Sequence, residues 1–129
     1  MTDVDGEEVR LTMPATPQLR RVARLTAAGL AGRLGFSFDE IEDVKIAVDE
    51  LCFALVGSKG RAGSLTLTYR IGDHELEIRG EGAFAGAGES APAPSELSAQ
   101  NLAAVVDEHD LTRDGDTMRF RHLKRRAGA

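Results

Sequence analysis

Val9, Leu11 and Met13 alternate with Arg10 and Thr12, the period of a strand with one buried face. Thr16-Pro17 then predicts a helix start, with threonine as N-cap and proline at the first helical position. Leu19, Val22, Leu25 and Leu30 predict the apolar stripe of that helix, Arg20, Arg21 and Arg24 lie elsewhere, and Gly35 ends it. A second helix opens with the capping box Ser37-Phe38-Asp39-Glu40, and Phe36 and Ile41 are spaced as a hydrophobic staple. Its apolar side is Ile41, Val44, Val48, Leu51 and Leu55. Gly57 to Gly63 reads as a loop rich in glycine and cations.

Period two returns in Leu65, Leu67, Tyr69 and Ile71, and again in Leu76 and Ile78 after the turn Gly72-Asp73, so a hairpin is expected. From Gly80 to Pro94 glycine, alanine, proline and serine dominate, and a mobile segment is expected. A helix from about Ser95 to His109 follows, burying Leu97, Leu102, Val105 and Val106. Asp114-Gly115 is a hairpin turn between a short strand near Leu111 and a last strand, Thr117 to Leu123, with Met118 and Phe120 inward. Helices grouped against a mostly antiparallel sheet make an α+β fold, a two-layer α/β sandwich.

The 129 residues, 42% of them hydrophobic, suffice for one domain with a real core. We expect residues 1–8 to be a disordered tail, 9–124 the domain with its loop at about 80–94, and 125–129 a basic tail. The net charge of −5 disfavours a general nucleic-acid binder. Arg119, Arg121, Lys124, Arg125 and Arg126 bunch near the end and read as solvated charge. No apolar run has the length of a membrane span, and the acidic start is unlike a signal peptide, so no membrane partner and a cytoplasmic location are expected. Cys52, the single cysteine, reads as a small core hydrophobe. His74, His109 and His122 lack metal-site spacing, so no metal site is expected, and His109 is placed at a helix C-terminus where the dipole favours an imidazolium.

The stretch Phe38-Asp39-Glu40-Ile41-Glu42-Asp43-Val44-Lys45-Ile46-Ala47-Val48-Asp49-Glu50-Leu51-Cys52, with the order of elements, resembles the anti-sigma-factor serine/threonine kinases of bacteria. These are the small stand-alone branch of the GHKL, or histidine-kinase-like, ATPases. The resemblance implies a cytoplasmic regulator of transcription and stress response. Its implied partners are a sigma factor and an antagonist protein of the STAS type, with a possible homodimer through the first strand and the helix Thr16–Leu34. It also implies Mg-ATP as cofactor where the site is functional.

Three boxes carry the nucleotide chemistry of that family. Glu50 stands at the general-base position. Four residues on, one turn along the same face, the family places a magnesium-binding asparagine where this chain has Ala54, which offers a hard cation no oxygen. Asp49 is one position earlier, about 100° round the helix, and Ser58 lies beyond Gly57, so neither is expected to replace it. In the second box, Gly80-Glu81-Gly82 puts glycine where an aspartate would select adenine, and Glu81 would serve only by a one-residue slip onto the other sheet face. In the third, Ser95-Glu96-Leu97-Ser98-Ala99-Gln100-Asn101-Leu102 lacks the phosphate-cradling glycines, and Glu96 adds like charge. Thr117 is the remaining position assigned to this degenerate site. Together the departures imply a regulator that acts by protein binding with ATP binding weak or lost. An active kinase that keeps Glu50 and a plain scaffold or dimerisation module stand as alternatives.

Overall fold

The computed structural model describes residues 7–57, 62–84, 96–114 and 117–128. Strand β1 (Glu7–Pro14) leads through a short 3-10 turn (Pro17–Leu19) into α1 (Arg20–Arg33) and α2 (Phe38–Val56). Strands β2 (Gly63–Ile71) and β3 (Glu75–Phe84), helix α3 (Glu96–Val105), and strands β4 (Glu108–Asp114) and β5 (Thr117–Arg125) follow. The sheet order is β1-β2-β3-β5-β4, and every neighbouring pair is antiparallel. The helices cover one face, giving the two-layer α+β sandwich that the pattern predicts.

The inward face of the sheet is Leu65, Leu67, Tyr69 and Ile71 on β2, Leu76 and Ile78 on β3, and Met118 and Phe120 on β5, all buried. Against it α2 lays Val44, Ala47, Val48, Leu51, Cys52, Ala54, Leu55 and Val56. Its start is the predicted capping box: Glu40 N–H donates to Ser37 Oγ at 3.2 Å, and Ser37 N–H to Glu40 Oε1 at 2.8 Å. The second oxygen of Glu40 accepts from Ala127 N–H at 2.7 Å. These backbone donors, Ser37 first and Ala127 next, hold the Glu40 carboxyl below its usual range.

Helix α1 departs from expectation. It buries Ala23, Ala27 and Ala31, while Val22 is 42% and Leu25 59% exposed. An i, i+4 row of alanines lets the helix lie close to its neighbours, Leu19 and Leu30 pack against the core as predicted, and Val22 and Leu25 are turned outward. Close approach also lets the fully buried Tyr69 donate its hydroxyl to the Ala23 carbonyl at 2.9 Å. Gly35, at φ 83°, ends the helix, and Arg126 Nη1 sits over it to donate to Leu34 O at 3.2 Å.

Three further expectations are corrected. Gly80 to Phe84 belongs to β3 and pairs with β2, so the loop begins later, and the rest of the predicted mobile stretch, 85–94, lies outside the described residues. Helix α3 ends at Val105, which puts His109 in β4 instead of at a helix end. The bunched cations are paired and largely within β5. Arg121 Nε meets Glu77 Oε2 at 2.6 Å, Arg125 Nη2 meets Glu108 Oε2 at 2.7 Å, and Arg119 Nε meets Glu81 Oε2 at 3.3 Å. Burial alone would raise the Glu77 carboxyl, but hydrogen bonds from Arg121 and Arg79 reverse this and hold it low.

Two inward groups of β5 are polar. Lys124 Nζ reaches Asp43 Oδ2 on α2 at 3.2 Å and the Val105 carbonyl at the end of α3 at 2.9 Å, so one cation ties both helices to the sheet. His122 is 1% exposed, between Ile78 of β3 and His109 of β4 in register. Neither of its ring nitrogens has a hydrogen-bond partner among the described residues. Register Asp114↔Thr117 closes the β4–β5 hairpin where Asp114-Gly115 predicts it, although Gly115 itself lies outside the described residues.

Candidate functional site

The site assigned by the sequence spans the second half of α2, the middle of β3 and the start of α3. Leu51 and Leu55 face inward one turn apart on α2. Glu50 and Ala54 precede them by one position each, so they share a strip about 100° round the helix. The Glu50 Oε1 atom accepts a hydrogen bond from Asn101 Nδ2 of α3 at 3.0 Å. Ala54 is 3% exposed and ends in a methyl.

Asp49 points away from this strip. Its Oδ2 takes a hydrogen bond from Arg24 Nη1 at 3.3 Å, and its Oδ1 lies 3.8 Å from Arg20 Nε, both on α1. Ser58 lies outside the described residues.

On β3, Gly80 and Gly82 face the helices and Glu81 faces outward, where it pairs with Arg119. The register Glu81↔Thr66 and Glu81↔Arg119 keeps the glutamate on the outer face of the sheet, so the one-residue slip is not made. At Gly80, a Cβ atom would stand 2.7 Å from Leu51 Cδ2, 2.8 Å from Leu55 Cδ1 and 3.2 Å from Leu67 Cδ2. Carbon atoms attract best at about 3.5–4.0 Å, so the two shortest of these contacts are clashes. Three leucine side chains therefore take the space into which an adenine-selecting carboxylate would extend. Thr117 opens β5 opposite Asp114, half-buried. Of the phosphate-turn stretch, Glu96 to Leu102 is already helical, and Ser95 lies outside the described residues.

The structure thus brings Glu50 to Asn101 and Gly80 to the leucines. It places Glu81 on the far side of the sheet. Asn101 has no partner legible from spacing, because Glu50 lies 51 positions away along the chain. Among the described residues, no group of three or more histidine, cysteine or acidic side chains is arranged to hold a metal. No helix among them is long and apolar enough to cross a membrane.

No family model matches the chain. It is similar to proteins named serine-protein kinase RsbW. The Bacillus cereus (strain B4264) protein is 38% identical over 74 residues, which cover 56% of this chain and 46% of that protein. The Halalkalibacterium halodurans protein is 38% identical over 73 residues, 56% of this chain and 45% of its own length. The Bacillus thuringiensis (strain Al Hakam) protein is 36% identical over 74 residues, with 56% and 46% covered. The chain spans less than half the length of these curated relatives. Over that part it is related to the RsbW-like branch, in line with the resemblance carried by the α2 sequence.

Proposed function

We propose that this chain is an anti-sigma-type regulatory domain that works by binding protein, with its nucleotide site lost. The observation that carries this reading is the closure at Gly80 by Leu51, Leu55 and Leu67. A base acceptor cannot be placed there without moving two buried helix side chains. Ala54 supplies no oxygen for magnesium, and Asn101 already engages the Glu50 carboxylate. The residues present do not fit a magnesium nucleotide, so no phosphoryl-transfer step is assigned to them.

The partners implied are a sigma factor or a STAS-type antagonist. The helix layer has a surface suited to protein. Val22 and Leu25 of α1, with Ile46 of α2 at 44% exposure, leave large apolar side chains in water beside Arg21, Arg24 and Lys45. Regulation of transcription in the cytoplasm follows from the same reading.

An active serine kinase is the second reading, favoured by the retained Glu50 and by the kinase name of the relatives. A calorimetric titration with Mg-ATP separates the two. The regulator gives no saturable heat, and its cooperative thermal melt stays in place at millimolar Mg-ATP, since a ligand stabilises in proportion to its occupancy. A rise of several degrees, or transfer of labelled phosphate to a STAS-type protein, overturns the regulator reading. Capture of purified sigma factors then distinguishes a regulator from a plain scaffold.

A further inference from the structure

Beyond the α2–α3 strip, a cavity of about 300 Å³ opens on the other side of α2, where β1, β2 and the 3-10 turn meet the helix end. That volume is at the lower end of the range of small-molecule sites. Its walls are Met13, Cys52, Val56 and Leu65, all buried, together with Pro17 and the half-exposed Phe53. Arg20 and Thr16 are its polar members, four residues apart where the 3-10 turn joins α1.

The guanidinium is half-exposed and open to a ligand. Arg20 lies 3.8 Å from Asp49 Oδ1, an ion pair too long to be a hydrogen bond. Asp49 has its hydrogen bond from Arg24 instead. Among the described residues that line the cavity, Arg20 is the charged one. Thr16 is uncommitted: it precedes the turn as N-cap, yet its side chain makes no capping hydrogen bond. Burial pushes the Cys52 thiol up to about 12, so the wall itself stays neutral. Apolar walls with one forked cation and one hydroxyl at the mouth fit a ligand with an apolar body and one anionic head.

We propose that this cavity binds a medium-chain monocarboxylate, its tail against Met13, Cys52, Val56 and Leu65 and its carboxylate on Arg20 and Thr16. The cavity shares none of the residues assigned to the nucleotide strip, so its occupancy does not depend on how that strip functions.

Octanoate and octanol, titrated separately into the whole chain and followed through backbone amide resonances, test this. Octanoate is expected to give saturable shifts centred on Met13, Cys52, Phe53 and Leu65, with octanol at least about tenfold weaker. Arg20→Met should weaken octanoate about tenfold, the scale of one charge-assisted contact, and leave octanol unchanged. Phe53→Asp, at a half-exposed wall where folding is little affected, should repel octanoate more than octanol. Absence of saturable octanoate shifts, shifts centred elsewhere, or equal octanoate affinity in parent and Arg20→Met each overturn the assignment.

Discussion

His122 makes the folded state sensitive to acid, and the size of the effect can be worked out. Burial, then the nearby charges of His109 and Arg121, lowers its pKa from 6.5 to about 3. The folded protein therefore excludes a proton that the unfolded chain accepts. Stability from this group is fully present above the unfolded pKa and is lost as pH falls through 6.5 towards the folded value. At pH 5 the unfolded state gains about 2 kcal/mol from binding the proton, taking 6.5 for the free imidazole. That figure is set by the unfolded pKa alone so long as the folded value stays well below 5. His122→Leu removes the effect, along with two buried nitrogens that lack partners among the described residues and cost about 1–3 kcal/mol each when unsatisfied. Urea unfolding at pH 8 and pH 5 is the assay. The parent should lose about 2 kcal/mol more than the variant between the two pH values, because every other titrating group cancels in the comparison. Equal losses in the two proteins would refute the reasoning, since they would mean that His122 takes up its proton as easily folded as unfolded.

Other expectations follow from contacts already described. Gly80→Asp should cost at least about 3 kcal/mol, from crowding against Leu51 and Leu55 and from an unpaired buried carboxylate, and should give no nucleotide binding by calorimetry. Lys124→Met should cost about 1–3 kcal/mol through the loss of its bonds to Asp43 and Val105, with amide exchange rising first in α3. Ser37→Ala should lower stability by about 1 kcal/mol by removing the N-cap of α2, as read in a thermal melt.

The legible parts of the fold are those in which one local signal is strong. The capping box and five apolar residues at helical spacing specify α2, and period-two alternation specifies the β2–β3 hairpin. In helix α1 the pattern places Leu19 and Leu30 on the core, but the buried row is alanine, whose small side chain carries little weight beside Val22 and Leu25. Those larger residues look like a core stripe in one dimension and face water in three. The extension of β3 to Phe84 was hidden because glycine has low strand propensity, while cross-strand pairing on both sides holds Gly80 and Gly82 in the ladder. At the candidate site, the absent side chains of Ala54 and Gly80 were plain from the sequence. What fills their surroundings was not. Leu51, Leu55 and Leu67 converge on Gly80 only through helix-on-sheet packing, and Asn101 reaches Glu50 only through α2–α3 docking.

Tyr69 gives the molecule a built-in optical reporter. The chain has one tyrosine and no tryptophan, so its tyrosine emission comes from a single ring. That ring is fully buried under α1, with its hydroxyl on the Ala23 carbonyl. Burial, and then the neighbouring Cys52, also raises the phenol's pKa above its ordinary value, which delays ionisation in alkali. The emission therefore follows the seating of α1 on the sheet, the helix that turns Val22 and Leu25 outward. A partner that grips that face and shifts the helix can be detected spectroscopically in the unlabelled protein, provided that the partner contributes no tryptophan or tyrosine of its own.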